Sequence, residues 1–121
     1  MPRILLVADQ AEPLEDLAHT LSAEKEVEVL WAHDGEAALE SVAANSPALV
    51  VVDASIGGES GLAWIQRLIG VDAFIQTAAV SALPHDTFHE ASEGLGVMTQ
   101  LPPHPSASDA RQLWQTLRQY L

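Results

Sequence analysis

The sequence predicts an α/β fold in which five parallel strands form one doubly wound sheet with five helices on its two faces. Apolar runs of strand length alternate with helical stripes of apolar residues along the whole chain. The strongest runs, residues 4–8 and 48–52, are apolar throughout, which is typical of parallel strands buried on both faces. The chain has 121 residues, of which 48% are hydrophobic, so it can bury a sizeable core. We therefore expect residues 1–121 to form a single domain.

The first half of the chain predicts three strands and two helices. After the strand over residues 4–8, apolar residues at helical spacing over residues 13–21 predict a helix that begins near a proline, which suits a first helical turn. A partly exposed strand is predicted over 27–31, and a second helical stripe over 38–43. The third strand, residues 48–52, ends at an aspartate.

The second half of the chain continues the same alternation. Pro102-Pro103 stops the fifth strand, and Ser106 or Ser108 is a candidate cap for the last helix. The predicted segments are, in order, a Gly- and Ser-rich loop over residues 55–61, a helix over 62–69, a strand over 74–82, a short helix over 84–93, a strand over 97–101 and a helix whose apolar stripe covers 110–121.

The composition excludes several classes of function. Seventeen acidic residues against five basic ones give a formal net charge of −12, and so acidic a surface repels the phosphate backbone of nucleic acids. The absence of cysteine excludes disulfides and thiolate metal sites. The apolar runs are too short to span a bilayer, and the N-terminus lacks a signal-peptide pattern. These features predict a cytoplasmic protein that binds neither nucleic acid nor membranes.

Chemically useful side chains stand at the ends of several predicted strands. Asp9 and Asp53 follow the two strongest apolar runs, Ser81 lies at the end of the fourth strand, and Leu101-Pro102 ends the fifth. In doubly wound sheets, ligands bind outside the carboxyl ends of the strands. The sequence therefore predicts that these positions lie together at one edge of the sheet.

At these positions the sequence resembles the receiver domains of response regulators, the signalling proteins of two-component systems. The resemblance covers essentially the whole chain and rests on six segments in the family's order and spacing. They are Ile4–Asp9, Trp31–Leu39, Pro47–Asp53, Gly61-Leu62, Val80–Ala82, and Gly94-Leu95 with Leu101-Pro102 seven residues on. The resemblance implies a flavodoxin-like sheet with strand order 2-1-3-4-5.

The resemblance also implies a chemistry for the candidate site. Asp53 would accept a phosphoryl group, and the Ser81 hydroxyl would then move to bond it. Asp9, Asp53 and the backbone carbonyl of Ser55 would bind Mg²⁺, an ion that takes a few carboxylates and completes its shell with water. These roles describe a phosphorelay signalling module and not an enzyme.

The resemblance implies two kinds of protein partner. The phosphoryl donor would be a histidine kinase or a phosphotransfer protein. A downstream protein would bind the face formed by the fourth helix, the fifth strand and the fifth helix, which carries His85, His89, Met98, Arg111 and Arg118. A homodimer stays open, as does the choice between a stand-alone regulator and the receiver segment of a larger protein.

Two positions depart from the family pattern in a way that bears on the chemistry. Ala8 stands where the family has the first of two acids, and Leu101 stands where it has a lysine. Lys25, the only lysine of the chain, falls at the far end of the first helix and cannot replace it. These departures predict weak magnesium binding and slow phosphoryl transfer. They favour an alternative function, a pseudo-receiver that docks to a partner without phosphorylation.

Other interpretations of single residues stay open at this stage. Asp53 also fits a turn, and Asp9 fits a helix cap as well as a metal ligand. By resemblance, Pro102 is expected to follow a cis peptide bond. His85 and His89 have the spacing of a zinc-protease motif, but the motif's glutamate is absent and an exposed helix face is the better interpretation. A flavin carrier is a third function class, for which the sequence offers no aromatic-flanked flavin loop.

Overall fold

The computed structural model describes all 121 residues, and its central element is a parallel sheet of five strands. The strands are β1 (Arg3–Val7), β2 (Glu28–Ala32), β3 (Leu49–Val52), β4 (Gln76–Val80) and β5 (Val97–Leu101). Their order across the sheet is β2-β1-β3-β4-β5, and each neighbouring pair is parallel. The predicted fold class and strand order are confirmed.

Five α-helices connect and follow the strands. They are α1 (Glu15–Ser22), which a 3₁₀ turn at Glu12–Leu14 precedes, α2 (Gly35–Asn45), α3 (Gly61–Val71), α4 (His85–Ala91) and α5 (Ala107–Arg118). Asp34, Ser60 and Ser106 cap α2, α3 and α5, each accepting a hydrogen bond from a backbone N–H three residues on. Ser106 is thus the cap of α5, and Ser108 is not. No helix is long and apolar enough to cross a bilayer.

The hydrophobic core has two layers because the sheet is covered on both faces. Along β3, Leu49 and Val51 point to the layer formed with α1 and α5. Val50 and Val52 point to the layer formed with α2, α3 and α4. Alternation of side chains across a strand explains why this run is apolar at every position.

The predicted fourth strand is too long at both ends. β4 covers Gln76–Val80 only, and Phe74, the expected first residue, is 92% exposed. The Asp72 carboxylate accepts a hydrogen bond from the Phe74 N–H at 3.0 Å, which closes a local turn. The aromatic side chain favours a strand by propensity, but the aspartate two residues earlier fixes a turn.

The loop predicted over residues 55–61 contains a short β-hairpin. Ser55–Ile56 pairs antiparallel with Glu59–Ser60, and we refer to this element as the 55–60 hairpin. Gly57 and Gly58 at its tip have φ angles of 59° and 83°, the positive values that a tight two-residue turn of type I′ requires. Ile56 is buried in the layer beneath α3, which anchors the hairpin to the core.

The peptide bond before Pro102 is trans, so the expected cis bond is wrong. A trans X–Pro bond is favoured by about 0.5–1 kcal/mol unless the surroundings impose the cis form. Here the Leu101 carbonyl, which belongs to this peptide bond, accepts a sheet hydrogen bond from the Ser81 N–H at 2.9 Å.

Candidate functional site

The C-terminal edge of the sheet collects the residues that the sequence singled out. The register pairs Val7 with Val52 and Val80 with Leu101, so the segments that follow β1, β3, β4 and β5 all leave at this edge. The Asp53 N–H donates to the Val7 carbonyl at 2.9 Å, which continues the β1–β3 pairing up to the aspartate. Two halves can be distinguished there. The acidic half contains Asp9, Asp53 and the 55–60 hairpin, and the neutral half contains Ser81, Gln100 and Leu101.

Asp53 is half-buried at the end of β3, the middle strand of the sheet. Its Oδ1 accepts a hydrogen bond from the Ala54 N–H at 2.8 Å, whereas Oδ2 has no partner within the protein. The chain folds back over this residue, because the Gly61 N–H donates to the Ala54 carbonyl at 2.9 Å. A Cβ at position 61 would collide with the Asp53 carbonyl oxygen, so the close return of the chain requires glycine.

Asp9 holds the 55–60 hairpin and does not cap a helix. Both of its carboxylate oxygens lie within hydrogen-bonding distance of the Gly57 N–H, at 3.0 and 3.1 Å. The residues at the cap positions before the 3₁₀ turn and α1 are Ala11 and Leu14, and neither position has a side-chain cap. The helix-cap interpretation of Asp9 is therefore wrong. The contact joins residues 48 positions apart, and no local sequence pattern predicts it.

The acidic half offers oxygen ligands of the type that magnesium prefers, but too few side chains to form a complete coordination shell. No group of three or more His, Cys, Asp or Glu side chains is arranged to hold a metal ion. Asp9 and Asp53 are nevertheless oxygen donors with free lone pairs, and magnesium is often held by one or two carboxylates and several waters. Ser55 is exposed at the start of the 55–60 hairpin, where it pairs with Ser60. The residues present fit a two-carboxylate site.

The neutral half is closed by hydrogen bonds among uncharged groups. Ser81 is half-buried, and its Oγ accepts a hydrogen bond from the Leu83 N–H at 3.1 Å. The Gln100 side-chain amide donates to two carbonyl oxygens of the same loop, those of Ser81 at 3.2 Å and Leu83 at 2.9 Å. The sequence analysis missed Gln100, since a lone glutamine at a strand end has no distinctive spacing or neighbour.

The two departures from the family pattern belong to the hydrophobic core. Ala8 is fully buried and Leu101 is 4% exposed, and both lie in the layer formed with α1 and α5. Lys25 is exposed in the turn between α1 and β2, at the opposite edge of the sheet. The only lysine of the chain is thus far from the neutral half, and a carboxylate at position 8 would be enclosed by core side chains.

The two histidines with zinc-protease spacing lie on the exposed face of α4. His85 and His89 are both exposed, and Phe88 between them is buried against the sheet. No third metal-binding side chain joins them. The structure therefore supports an exposed helix face and gives no support to a zinc site.

The structure is a doubly wound α/β sheet with polar side chains at its C-terminal edge. Comparison with known protein families identifies the class of protein to which this architecture belongs. The family model of the response regulator receiver domain matches residues 4–102. The chain therefore belongs to the receiver-domain family of two-component response regulators, whose members are in general signalling modules and not enzymes. No curated protein matches this chain significantly by sequence.

Solved structures share this fold over nearly the whole chain. The receiver domain of the Francisella response regulator 1452 aligns with a TM-score of 0.84 at 16% identity and covers 100% of both chains. The chemotaxis response regulator CheY4 of Vibrio cholerae gives 0.83 at 17%, covering 97% of this chain and 98% of its own. The response regulator domain of Thermotoga maritima CheB gives 0.79 at 23%, covering 98% and 95%. At such identities the likeness concerns the fold.

Proposed function

We propose that residues 1–121 form one receiver domain that accepts a phosphoryl group on Asp53 and acts as a switch in a phosphorelay. The observation that carries the proposal is the setting of this carboxylate. Asp53 ends the middle strand, Oδ1 is fixed by the Ala54 N–H, and Oδ2 is left without a protein partner. Gly61 allows the chain to return close to the backbone carbonyl of Asp53, where a Cβ would collide.

The proposed reaction is a displacement at phosphorus. Oδ2 of Asp53 attacks, a new P–O bond forms, and the P–N bond of a phosphohistidine (or the P–O bond of a small acyl phosphate) breaks, the leaving group keeping the electron pair. Asp9 and Asp53 would hold a magnesium ion, which when bound offsets charge on the phosphoryl oxygens. Ser81 accepts a bond from Leu83 but keeps its own hydroxyl hydrogen, which it would donate to a phosphoryl oxygen.

A mass measurement tests the phosphoacceptor. The intact protein is incubated with acetyl phosphate and Mg²⁺, and we expect it to gain one phosphoryl group. Asp53→Asn should abolish the gain, because the amide is not a nucleophile of comparable strength. Asp86→Asn, at an exposed position of α4, is the matched control and should be phosphorylated like the wild type. Equal labelling of the Asp53→Asn variant would place the phosphoryl group elsewhere and disprove the proposal.

One observation favours a second function, docking without phosphorylation. Ala8 and Leu101 replace two charged residues of the family, and both are packed in the core layer beside α1 and α5. A pseudo-receiver of this kind would bind its partner equally well with and without acetyl phosphate and magnesium. If the wild type gains no phosphoryl mass at any magnesium concentration, docking without phosphorylation replaces phosphoryl acceptance as the proposed function.

The proposed partners are a histidine kinase or phosphotransfer protein at the site and a downstream protein on the face of α4, β5 and α5. Residues 85–118 contain four acids and two arginines, against thirteen acids and three basic residues elsewhere, so this face is the less acidic side. Arg111 and Arg118 are exposed there. Reversing their charge should weaken capture of a partner more than reversing Glu24 or Glu26, and equal effects would indicate another surface.

A further inference from the structure

The loop between β4 and α4 is attached to the neighbouring strand by one side chain. Gln100 pairs in the sheet with Ala79, which faces the layer formed with α2, α3 and α4. From that face its amide group reaches over the end of β4 and donates to the carbonyls of Ser81 and Leu83. Both acceptors are carbonyl oxygens, so the nitrogen of the amide, and not its oxygen, must face the loop.

Backbone groups also hold the loop of Ser81–Leu83. Within the loop, the Leu83 N–H donates to Ser81 Oγ at 3.1 Å, and at its start the Ser81 N–H donates to the Leu101 carbonyl of β5 at 2.9 Å. Ser81 is thereby held through its amide, its carbonyl and its hydroxyl oxygen. Gln100 supplies the only side-chain hydrogen bonds that tie this loop to another strand.

We propose that Gln100 is a positioning residue that fixes the Ser81–Leu83 loop in its present conformation. The second part of the inference depends on the proposed function: by fixing the loop, Gln100 restrains the movement of Ser81 toward a phosphoryl group on Asp53. Leu101, the next residue, is apolar and supplies no competing donor to the site. In this protein the resting state is thus held by a neutral amide clamp beside the position where the family has its lysine.

The first test is amide hydrogen exchange in the unphosphorylated protein. Gln100→Met keeps the volume of the side chain and removes its donors, so the Leu83 amide should exchange about tenfold faster, as the loss of hydrogen bonds of ordinary strength implies. Gln100→Lys restores a donor group of similar reach and should recover most of the protection. Gln66→Met, on the exposed face of α3, is the control and should change nothing at Leu83.

Two results would overturn the clamp: unchanged exchange at Leu83 in Gln100→Met, or loss of protection that Gln100→Lys does not restore. The second result would mean that a hydrogen-bond donor at position 100 is not what protects the loop. Urea unfolding of all three variants gives the loss of global stability, and exchange at amides of the core strands shows how much of the change at Leu83 comes from global unfolding. Loop opening is an increase at Leu83 that exceeds the increase at the core amides.

The second test measures phosphorylated fraction against time with acetyl phosphate and magnesium. Freeing the loop should shift its conformations toward the one in which Ser81 reaches the phosphoryl group, so Gln100→Met should phosphorylate severalfold faster than wild type. Faster exchange at an unchanged rate would overturn the restraint on Ser81. If neither protein is phosphorylated, the proposed function fails, and the exchange data alone decide whether the clamp exists.

Discussion

The acidic half and the neutral half of the site face the same edge of the sheet but are built in opposite ways. In the acidic half, Asp9 and Asp53 are charged, at least partly exposed, and bound only by backbone N–H groups. In the neutral half, Leu101 belongs to the core and Ser81 is enclosed by backbone and amide contacts. The groups that would attack and hold metal are present, whereas no cation stands where a phosphoryl group would need one.

The difference teaches that the two halves are supported by different parts of the protein. The acidic half depends on a loop, since the 55–60 hairpin and Gly61 shape the surroundings of both aspartates. The neutral half depends on the core layer of α1 and α5, into which Leu101 is packed. A change confined to the 55–60 hairpin or to Gly61 is therefore expected to leave Leu101 packed in the core, and the predictions below compare changes in the loop with changes in the core layer.

The largest effect is expected from Ala8→Asp, which adds a carboxylate beside the acidic half. Ala8 is fully buried among apolar side chains, so an unpaired charge there should lower the free energy of unfolding by about 3–5 kcal/mol. Ala73→Asp, at an exposed position, is the control and should stay within about 0.5 kcal/mol of wild type. Urea unfolding measures both. A gain of stability on adding magnesium that is larger in Ala8→Asp than in the wild type would show that the new carboxylate binds the ion.

The second effect concerns the close return of the chain over Asp53. In Gly61→Ala the added methyl group meets the Asp53 carbonyl, and the backbone must shift, at a cost of about 1–3 kcal/mol. Gly70→Ala, also in α3 but facing open space, should instead stabilise the protein by about 0.5–1 kcal/mol. A Gly61→Ala variant as stable as wild type would show that the return of the chain is not tight.

Residue patterns predicted the strand order and the edge at which the site lies, because alternating apolar segments and right-handed crossovers leave few topologies. They did not predict what the side chains at that edge touch. The Asp9–Gly57 contact depends on the position of a hairpin that is distant in sequence. The contact of Gln100 with Leu83 depends on the pairing of β5 with β4. Ala8 was interpreted as a missing ligand, while the structure gives it a place in the core. Contacts between residues that are far apart in the chain leave no local pattern in a single sequence, and so they could not be predicted from it.

The third effect tests the neutral half through the rate of phosphorylation. Leu101→Lys puts a cation where the family has one, and it should raise the rate of labelling by acetyl phosphate about tenfold to a hundredfold if it recovers half of a close ion pair. Leu101→Met keeps the position apolar and should leave the rate unchanged. Because Leu101 is packed in the core, the lysine variant should also lose stability. Equal rates in both variants would mean that the missing cation does not limit the reaction.

The smallest effect concerns β4, the strand that carries Ser81. Thr77 is 1% exposed, and its hydroxyl has no hydrogen-bond partner, next to an irregularity in the pairing of β4 with β5. Burying this hydroxyl removes its hydrogen bonds to water and replaces them with none in the protein, which lowers the free energy of unfolding. Thr77→Val, which keeps the shape of the side chain, should therefore stabilise the protein by about 1 kcal/mol.

Thr99→Val on β5 is the control for this prediction. The Thr99 hydroxyl is half-buried and has a weak contact at 3.5 Å to the Gln100 carbonyl, so its removal should be nearly neutral. Both values come from urea unfolding. A loss of stability in Thr77→Val would show that the hydroxyl has a partner, such as a buried water molecule. Unchanged exchange at Leu83 in the same variant is expected, since the change is made at the start of β4 and the clamp lies beyond its end.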